Sequence, residues 1–392
     1  MSSYKDKLEK LCENNKRLKV DQVQKTIELH PFFDGQSMSV RFISSPTSSF
    51  RLSSMELSQS FLKNYSDKGF QYAIDLLNSI LDIKEINFKL IAIICGVELK
   101  DEIVINDKLS LKPFTELTKA GGIKYLMNEI NSARENPYPI MGVSPYKLDD
   151  HKFPYLKRSA LVYQYGEYDT NRKHTFYSTS ERSNLDLYLE EIINFLPVII
   201  PECNTFIELI DLVPEHQGLN QLHSGFGMSI KYSPIIPTEQ STTTISSESF
   251  DLPLLLNFMA LEGSLKDKLN LALKHYVESL WVLDSDRQVL GCAIALECIL
   301  LNRNSKYKTR TLSNKAASLL ATSKSRKKYY SNLFTGFYNL RSEIVHAGKA
   351  NYSRKITLNG SRVISGGDSL REIKSLIPLI IKALINRDQS QS

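Results

Sequence analysis

Hydrophobic residues recur with two different periods along this chain of 392 residues. In the first 230 or so residues, short apolar and β-branched runs are separated by stretches of helical period, which is typical of strands alternating with helices. Strands are predicted at 39–43, 86–94, 103–111, 159–165, 204–212 and 225–232, with 174–177 as the hairpin partner of 159–165. Helices are predicted within 4–30 and at 67–82, 115–134 and 183–196. This part of the chain is therefore predicted to be α+β.

The segment 234–249 interrupts this pattern with prolines, three consecutive threonines and several serines, a composition typical of a linker. Beyond it the strand signals nearly stop. Helical spacing predicts helices at about 251–262, 264–282, 285–303, 310–323, 326–347 and 367–386. The fold class is therefore predicted as α+β, with an α+β domain over 1–233, a linker over 234–249 and an all-α bundle over 250–392.

The predicted helix 326–347 contains an unusual arginine. When the helix is wound at about 100° per residue, Arg341 falls near the middle of its broad apolar sector, although arginine is rarely buried without a partner. The apolar sector is formed by Tyr330, Leu333, Phe334, Phe337, Tyr338, Leu340, Ile344 and Val345. A polar stripe along one edge is formed by Thr335, Asn339, Ser342 and His346. Gly348 is predicted to cap the helix, which places the histidine in its last turn.

A carboxylate that could pair with this arginine lies on another predicted helix. The stretch from Val289 to Leu301 is apolar on every side, and Glu297 is its only charged residue. Such a helix is buried on most of its faces, and a buried carboxylate needs a donor. We therefore predict a contact between Glu297 and Arg341. The sequence leaves open whether this pair only fixes the register of the bundle.

The charge is unevenly distributed. Residues 250–392 hold 22 Lys and Arg against 11 Asp and Glu, and segment 302–356 holds 13 basic residues against one acidic residue, Glu343. Such a basic segment suits a polyanionic partner, most simply a nucleic acid, although a solvated basic face without a partner has the same composition. Lys327, Lys328 and Lys349 flank the predicted helix 326–347 and are candidate RNA-binding residues.

Several classes of protein are disfavoured by the sequence. There is no apolar run of 18 residues, and the polar start MSSYKDKLEK is unlike a signal peptide. The five cysteines are scattered and lack CxxC spacing, and glycine-rich phosphate loops and HExxH are absent. The expectation is a cytoplasmic protein with no membrane contact, no metal and no cofactor.

These features together resemble the HEPN superfamily (higher eukaryotes and prokaryotes nucleotide-binding), most closely its Apea-like branch. The resemblance runs from Asp286-Arg287-Gln288-Val289-Leu290 through Ala295-Leu296-Glu297 to Arg341-Ser342-Glu343-Ile344-Val345-His346-Ala347-Gly348, and covers roughly residues 250–390. In that family a bundle of four to five helices carries an Arg-x4-6-His signature, which Arg341 and His346 match. Ser342 departs from the Asn, Asp or His common at the second position, and serine there is expected of the Apea-like branch.

The resemblance implies a metal-independent endoribonuclease that cleaves RNA, including transfer RNA, to 2′,3′-cyclic phosphate and 5′-OH ends. It also implies a homodimer formed through the HEPN domain, often a toxin or an anti-phage defence protein. The leading hypothesis is that the α+β domain senses a phage-derived or cellular trigger or selects the substrate. Arg341 and His346 would be catalytic, with Glu297, Ser342 and Asn339 in support. An imidazole can exchange protons with the ribose hydroxyl, and a guanidinium can hold the phosphate.

One geometric difficulty and one alternative bear on this hypothesis. Arg341 and His346 are five residues apart, about 140° around an ideal helix, so they could cooperate only if the helix end loosened or if the pair were completed across a dimer. The alternative is a non-catalytic HEPN module for dimerisation or nucleotide binding, with Arg341–Glu297 as a structural ion pair. Such a module would not need His346.

Overall fold

The computed structural model describes residues 4–14, 17–30, 33, 39–43, 49–82, 85–115, 158–169, 179–201, 206–214, 219, 229–230, 243–282, 284–302, 305–359 and 362–389. The predicted hairpin partner 174–177, nearly all of the predicted helix 115–134 and the first part of the predicted linker lie outside these ranges. The described residues combine eleven α-helices with a six-stranded antiparallel sheet and three strand pairs. The predicted α+β class is confirmed.

The first elements are helices around one short hairpin. They are α1 (Tyr4–Asn14), α2 (Val20–Ile27), β1 (Ser39–Ile43), β2 (Ser49–Ser53), α3 (Ser54–Lys68) and α4 (Phe70–Leu81). Strands β1 and β2 pair antiparallel. Helix α3 begins with a capping box, in which the side chain of Ser53 accepts the amide of Glu56 and the carboxylate of Glu56 accepts the amide of Ser53. The local sequence therefore sets where this helix starts.

The six-stranded sheet is built around β3. Its strands are β3 (Glu85–Cys95), β5 (Ile103–Val104), β6 (Leu109–Pro113), β7 (Arg158–Asp169), β8 (Phe206–Pro214) and β9 (Ser229–Ile230), in the order β5-β6-β7-β3-β8-β9. Residues 90–95 of β3 are all buried. Both faces of a strand are covered when it reads as a continuous apolar run, so β3 lies in the interior of the molecule.

One predicted strand is divided in the structure. The sequence predicts a single strand at 103–111, but a turn around Asn106 separates β5 from β6, which pair with each other. The side-chain oxygen of Asn106 accepts the amide of Lys108 at 2.9 Å. Asparagine favours turns because its side chain can bond to the backbone two residues on, and this local bond outweighs the apolar pattern.

The end of the predicted linker is attached to the first half of the chain. Strand β10 (Thr243–Ile245) pairs in parallel with β4 (Val97–Leu99), and the short 3₁₀ turn Ser247–Ser249 follows it. The amide of Ser247 donates to Asp101 at 3.0 Å. These contacts anchor the chain just before the first C-terminal helix.

The C-terminal part consists of six helices and one hairpin. The helices are α6 (Leu252–Ala260), α7 (Gly263–Trp281), α8 (Ser285–Leu300), α9 (Lys308–Leu320), α10 (Lys324–Ala347) and α11 (Gly366–Gln389). All six lie within a few residues of their predicted bounds.

The prediction of an all-α C-terminal part is wrong at one place. Strands β11 (Lys355–Asn359) and β12 (Arg362–Ser365) form an antiparallel hairpin against α10. In β11, Ile356 and Leu358 are buried whereas Lys355 and Thr357 are exposed, which is the alternation of a half-buried strand. The run is so short that its strand period is hard to detect from sequence.

Helix α5 (Thr179–Ile199) connects the two halves. It packs against β8 and also against α6, α7 and α11. The rings of Phe195 in α5 and Phe258 in α6 are stacked with centroids 4.0 Å apart. Glu191 in α5 pairs with Lys266 at 3.3 Å and accepts a hydrogen bond from Asn270 at 2.7 Å. A helix that the sequence assigns to the N-terminal domain thus contributes to the core of the helical part, and the predicted division into domains stays a prediction.

Candidate active site on helix α10

Helix α10 is continuous from its first turn to its last. The side chain of Ser323 caps its start by accepting the amide of Arg326 at 3.3 Å. At its end, Gly348 adopts the left-handed conformation with φ 76°, and its amide donates to the carbonyl of Ile344 at 2.9 Å. Both Arg341 and His346 are therefore held on regular helical backbone.

Arg341 lies beside the carboxylate that the sequence predicted. Its Nε is 3.5 Å from Oε1 of Glu297 on α8, and the two side chains are 28% and 20% exposed. The hydroxyl of Tyr338 donates to the same carboxylate oxygen at 2.5 Å, and the guanidinium lies 5.5 Å from the centre of the Tyr338 ring. The predicted Glu297–Arg341 contact is confirmed, and the two helices are linked by a three-residue cluster.

Tyr338 is the member of this cluster that the sequence did not reveal. Its pKa is raised above the ordinary value, first by burial and then by its hydrogen bond to Glu297, while the nearby charge of Arg341 acts in the opposite direction. The phenol therefore remains a donor to the carboxylate. Its spacing of three residues from Arg341, on the same helix face, was the available signal.

The guanidinium of Arg341 keeps free donors. A guanidinium has five N–H groups, and the contact of Arg341 with Glu297 is made by Nε at 3.5 Å. Across the described part of the chain, the two terminal NH₂ groups of Arg341 make no hydrogen bond to another residue. A half-buried, oriented arginine with free NH₂ groups can bind a phosphate through two parallel hydrogen bonds.

His346 is placed differently. It is exposed, in the last turn of α10 on the polar stripe. Its side chain makes no hydrogen bond or ion pair with any residue that the structure describes. Asn339 and Ser342 share the stripe and are half-buried, but the structure does not bring either into hydrogen-bonding contact with His346. The imidazole is thus open to a ligand or to a second chain.

Within one chain, Arg341 and His346 point away from each other. The helix between them is intact, so the two side chains leave it about 140° apart and about 7.5 Å apart along the axis. The loosened helix end that cooperation in one chain would require is not seen. The structure therefore brings Arg341 to Glu297, but it does not bring Arg341 to His346.

The three candidate lysines do not form one patch. Lys327 and Lys328 are exposed at the start of α10, and Lys349 is exposed beyond its end. The 21 residues from Lys328 to Lys349 correspond to roughly 30 Å of helix. These lysines could contact one polyanion only if it ran along the whole helix.

The loop after His346 is held by two carboxylates. Glu343 accepts the amide of Asn351 at 2.9 Å and pairs with Arg354, while Asp286 on α8 accepts the hydroxyl of Tyr352 at 2.7 Å. The pKa of Glu343 is lowered, first by the Asn351 amide and also by Arg354. These contacts fix the surroundings of the last turn of α10. Sequence reasoning missed them, although Glu343 is the only acid in the basic segment 302–356.

The described residues contain no group of three or more His, Cys, Asp or Glu side chains that could hold a metal ion. Their helices include none with the length and apolar character needed to cross a membrane.

No family model, curated protein or solved structure matches this chain.

Proposed function

We propose that this chain is an endoribonuclease of the HEPN type that cleaves RNA, transfer RNA among the candidate substrates, without a metal ion. One observation carries the proposal. An arginine with free terminal NH₂ groups is oriented by Glu297 and Tyr338, on the same helix as an exposed histidine. A pair that served only to join two helices would not account for His346.

The chemistry follows from the two side chains. Arg341 binds the scissile phosphate and stabilises the charge that develops on its oxygens in the transition state. His346 takes the proton of the ribose 2′-OH or gives one to the leaving 5′ oxygen. The 2′ oxygen forms a bond to phosphorus as the bond to the 5′ oxygen breaks, which leaves a 2′,3′-cyclic phosphate and a 5′-OH.

The active unit in this proposal is a homodimer. Because Arg341 and His346 diverge on one helix, the arginine of one chain would act with the histidine of its partner. Two exposed apolar side chains flank the pair and would be covered in such a dimer. Ile294 on α8 lies one turn from Glu297 and is 38% exposed, and Val345 on α10 lies one turn from Arg341 and is 52% exposed.

The setting of the proposal is defence in the cytoplasm, where an unrestrained ribonuclease would harm its own cell. The α+β part would then sense a phage-derived or cellular trigger or select the RNA. Helix α5, packed on both the sheet and the helical part, offers a physical connection between the two.

The test is cleavage of total and transfer RNA by wild type, Arg341→Ala and His346→Ala in EDTA, with analysis of the product ends. We expect cyclic phosphate and 5′-OH ends from wild type. We expect the rate of RNA cleavage to fall by at least about 100-fold in each variant, which is the usual contribution of a general acid–base residue or an oriented charge. Each variant must remain folded at the assay temperature and keep the wild-type oligomeric state.

The second candidate function is a non-catalytic dimerisation or nucleotide-binding module. It is favoured by the hydrogen bond from Tyr338 to Glu297, because a buried donor and carboxylate also stabilise a helix pair without chemistry. Under this alternative, wild type is inert towards RNA both in vitro and on induction in cells, and Arg341→Ala only destabilises the fold.

A further inference from the structure

Tyr307 is the most exposed large apolar side chain that the structure describes. It is 83% exposed and precedes the first residue of α9. Its φ of 52° is the only positive value among the described non-glycine residues. The left-handed region disfavours residues with a Cβ, and bulky residues are found there when the surroundings impose it. Here the backbone is held by the amide of Thr311, which donates to the carbonyl of Tyr307 at 3.0 Å.

Three of the residues close to Tyr307 in sequence are basic. Lys306, Lys308 and Arg310 are all exposed. None of the three forms an ion pair with a residue in the described ranges. An exposed aromatic ring among free cations is the combination that binds single-stranded nucleic acid, since the ring stacks on a base while the cations contact phosphates.

The position of Tyr307 connects it to the candidate active site. Helices α9 and α10 run antiparallel, because only residues 321–323 separate them. The hydroxyl of Thr335 donates to Ser313 at 3.1 Å, which places these two residues side by side. Tyr307 lies six residues before Ser313, and Arg341 lies six residues after Thr335. Equal steps of about 9 Å along antiparallel helices bring Tyr307 level with Arg341.

Tyr307 also lies on the histidine's side of α10. Thr335 and His346 belong to the same polar stripe, so α9 packs on the side of α10 from which His346 projects. The stripe continues along α10 from Thr335 through Asn339 and Ser342 to His346, and its last two residues lie beyond the start of α9. A strand that followed this stripe would pass Tyr307 before it reached the histidine.

We propose that Tyr307 stacks on an unpaired base of the RNA substrate, with Lys306, Lys308 and Arg310 binding the adjacent phosphates. The inference rests on the proposed ribonuclease function and specifies its substrate further, because stacking requires a base that is not paired. The enzyme would accordingly select single-stranded segments or loops. The ring is 83% exposed and is therefore accessible to such a ligand.

The test compares Tyr307→Gly and Tyr307→Phe in full-length protein that also carries His346→Ala, so that the RNA stays intact. Binding of a fluorescent 12-nucleotide RNA is measured as a single strand and as a duplex. We expect Tyr307→Gly to lose about fivefold or more in single-strand affinity, the loss expected for one stacked base, with duplex affinity unchanged. Tyr307→Phe retains the ring and should bind like the parent protein. Lys7→Ala, which removes an exposed charge on α1, is the control.

The unfolding temperature shows whether a loss of RNA affinity comes from the missing ring or from an unfolded variant. Glycine accepts φ 52° without strain, so Tyr307→Gly should unfold at the same temperature as the parent or higher. Equal single-strand binding by parent and Tyr307→Gly, or an equal loss for single strand and duplex, overturns the inference. If wild type cleaves RNA in EDTA while Tyr307→Gly binds normally, only the role of Tyr307 fails. If wild type neither binds nor cleaves RNA, the proposed function fails with it.

Discussion

Arg341 is accommodated at the edge of the helical core by a carboxylate and an aromatic ring that lie beside it. Glu297 supplies the opposite charge at 3.5 Å, and Tyr338 both bonds to Glu297 and presents its ring to the guanidinium. Each group compensates the cost of removing another from water. The same contacts orient the guanidinium, so stabilisation and the proposed binding of phosphate depend on one cluster of side chains.

At the residue scale, we predict that Arg341→Ala lowers the free energy of unfolding by about 1–3 kcal/mol, because it leaves Glu297 half-buried without its cation. Arg341→Ala combined with Glu297→Gln should cost less than the sum of the single changes. Urea denaturation of the three variants measures the coupling. Arg371→Ala is the matched control, since this arginine pairs with Asp368 while 84% exposed and should lose about 0.5 kcal/mol or less. Strict additivity would show that the pair contributes nothing.

Helix α10 is covered by different elements on its different faces. Glu297 on α8 meets Arg341, α9 packs near Thr335, and the β11–β12 hairpin lies on a third face. The hairpin lies close to α10 at Gly336, where an added Cβ would be 2.5 Å from Cγ2 of Ile356. Glycine in mid-helix is otherwise unfavourable, so packing rather than helix propensity explains this position.

At the element scale, Gly336→Ala is informative because two effects would change the stability of the protein in opposite directions. Helix propensity alone would stabilise the protein by about 1 kcal/mol, whereas the close contact with Ile356 should destabilise it by about 1–3 kcal/mol. We expect destabilisation, measured by thermal and urea unfolding. In the Ile356→Ala background the same change should become neutral or stabilising. Stabilisation in the wild-type background would mean that the hairpin does not press on α10.

Glu343 gives a pH-dependent prediction for the loop after α10. Its pKa is lowered in the folded chain, so its stabilising effect is present above the pKa of the unfolded carboxyl and is lost as the pH falls through the lower folded value. At pH 7, Glu343→Gln should lower the free energy of unfolding by about 1 kcal/mol. The difference from wild type should shrink as the pH falls below about 4.3, the ordinary glutamate pKa. Denaturation from pH 7 to pH 3 tests this, with exposed Glu13→Gln as the control. A pH-independent difference would contradict it.

For the whole molecule, helix α5 is the element through which the sheet and the helical part share one core. Phe195 is fully buried and its ring stacks on Phe258, and Lys266 lies over the same Phe258 ring while it pairs with Glu191. A change in the sheet that moved α5 would therefore move α6 and α7. This is the physical basis on which a signal could reach the helical part.

We predict that Phe195→Ala lowers the free energy of unfolding by about 3–5 kcal/mol, the usual cost of removing a buried aromatic ring. Leu187→Ala on the same helix is the control, because Leu187 is 58% exposed and should cost about 0.5 kcal/mol or less. Urea unfolding measures both. If Phe195→Ala lowered the free energy of unfolding only slightly, α5 and α6 would not be packed as described here.

Mixing two inactive variants tests the proposed dimer. If the arginine of one chain acts with the histidine of its partner, a dimer of Arg341→Ala and His346→Ala chains contains one complete site. We then expect RNA cleavage to reappear on mixing the two after subunit exchange. If both residues act within one chain, no dimer of these variants has a complete site and the mixture stays inactive. Each variant alone and a mixture of Arg341→Ala with the double variant are the controls.

Much of this protein was determined by local sequence. The period of apolar residues predicted the six C-terminal helices within a few residues, because helical spacing is a property of consecutive positions. The Glu297–Arg341 contact was also predicted, since a lone carboxylate and a lone guanidinium on apolar faces each require a partner. Strand β3 was also predicted from its apolar run, although its burial was shown only by the structure.

Tertiary structure alone decided the rest, because each remaining feature depends on residues far apart in sequence. Hairpin 355–365 was missed because the alternation of buried and exposed residues in its strands is short and arises from packing against α10. The pairing of β4 with β10 joins residues about 146 positions apart. The roles of Tyr338 and Glu343 depend on Glu297 and on the loop that folds back to residues 351–354. Helical period could place Arg341 and His346 on their helix. Only the packed structure showed that Tyr338 joins the Glu297–Arg341 contact while the histidine remains open.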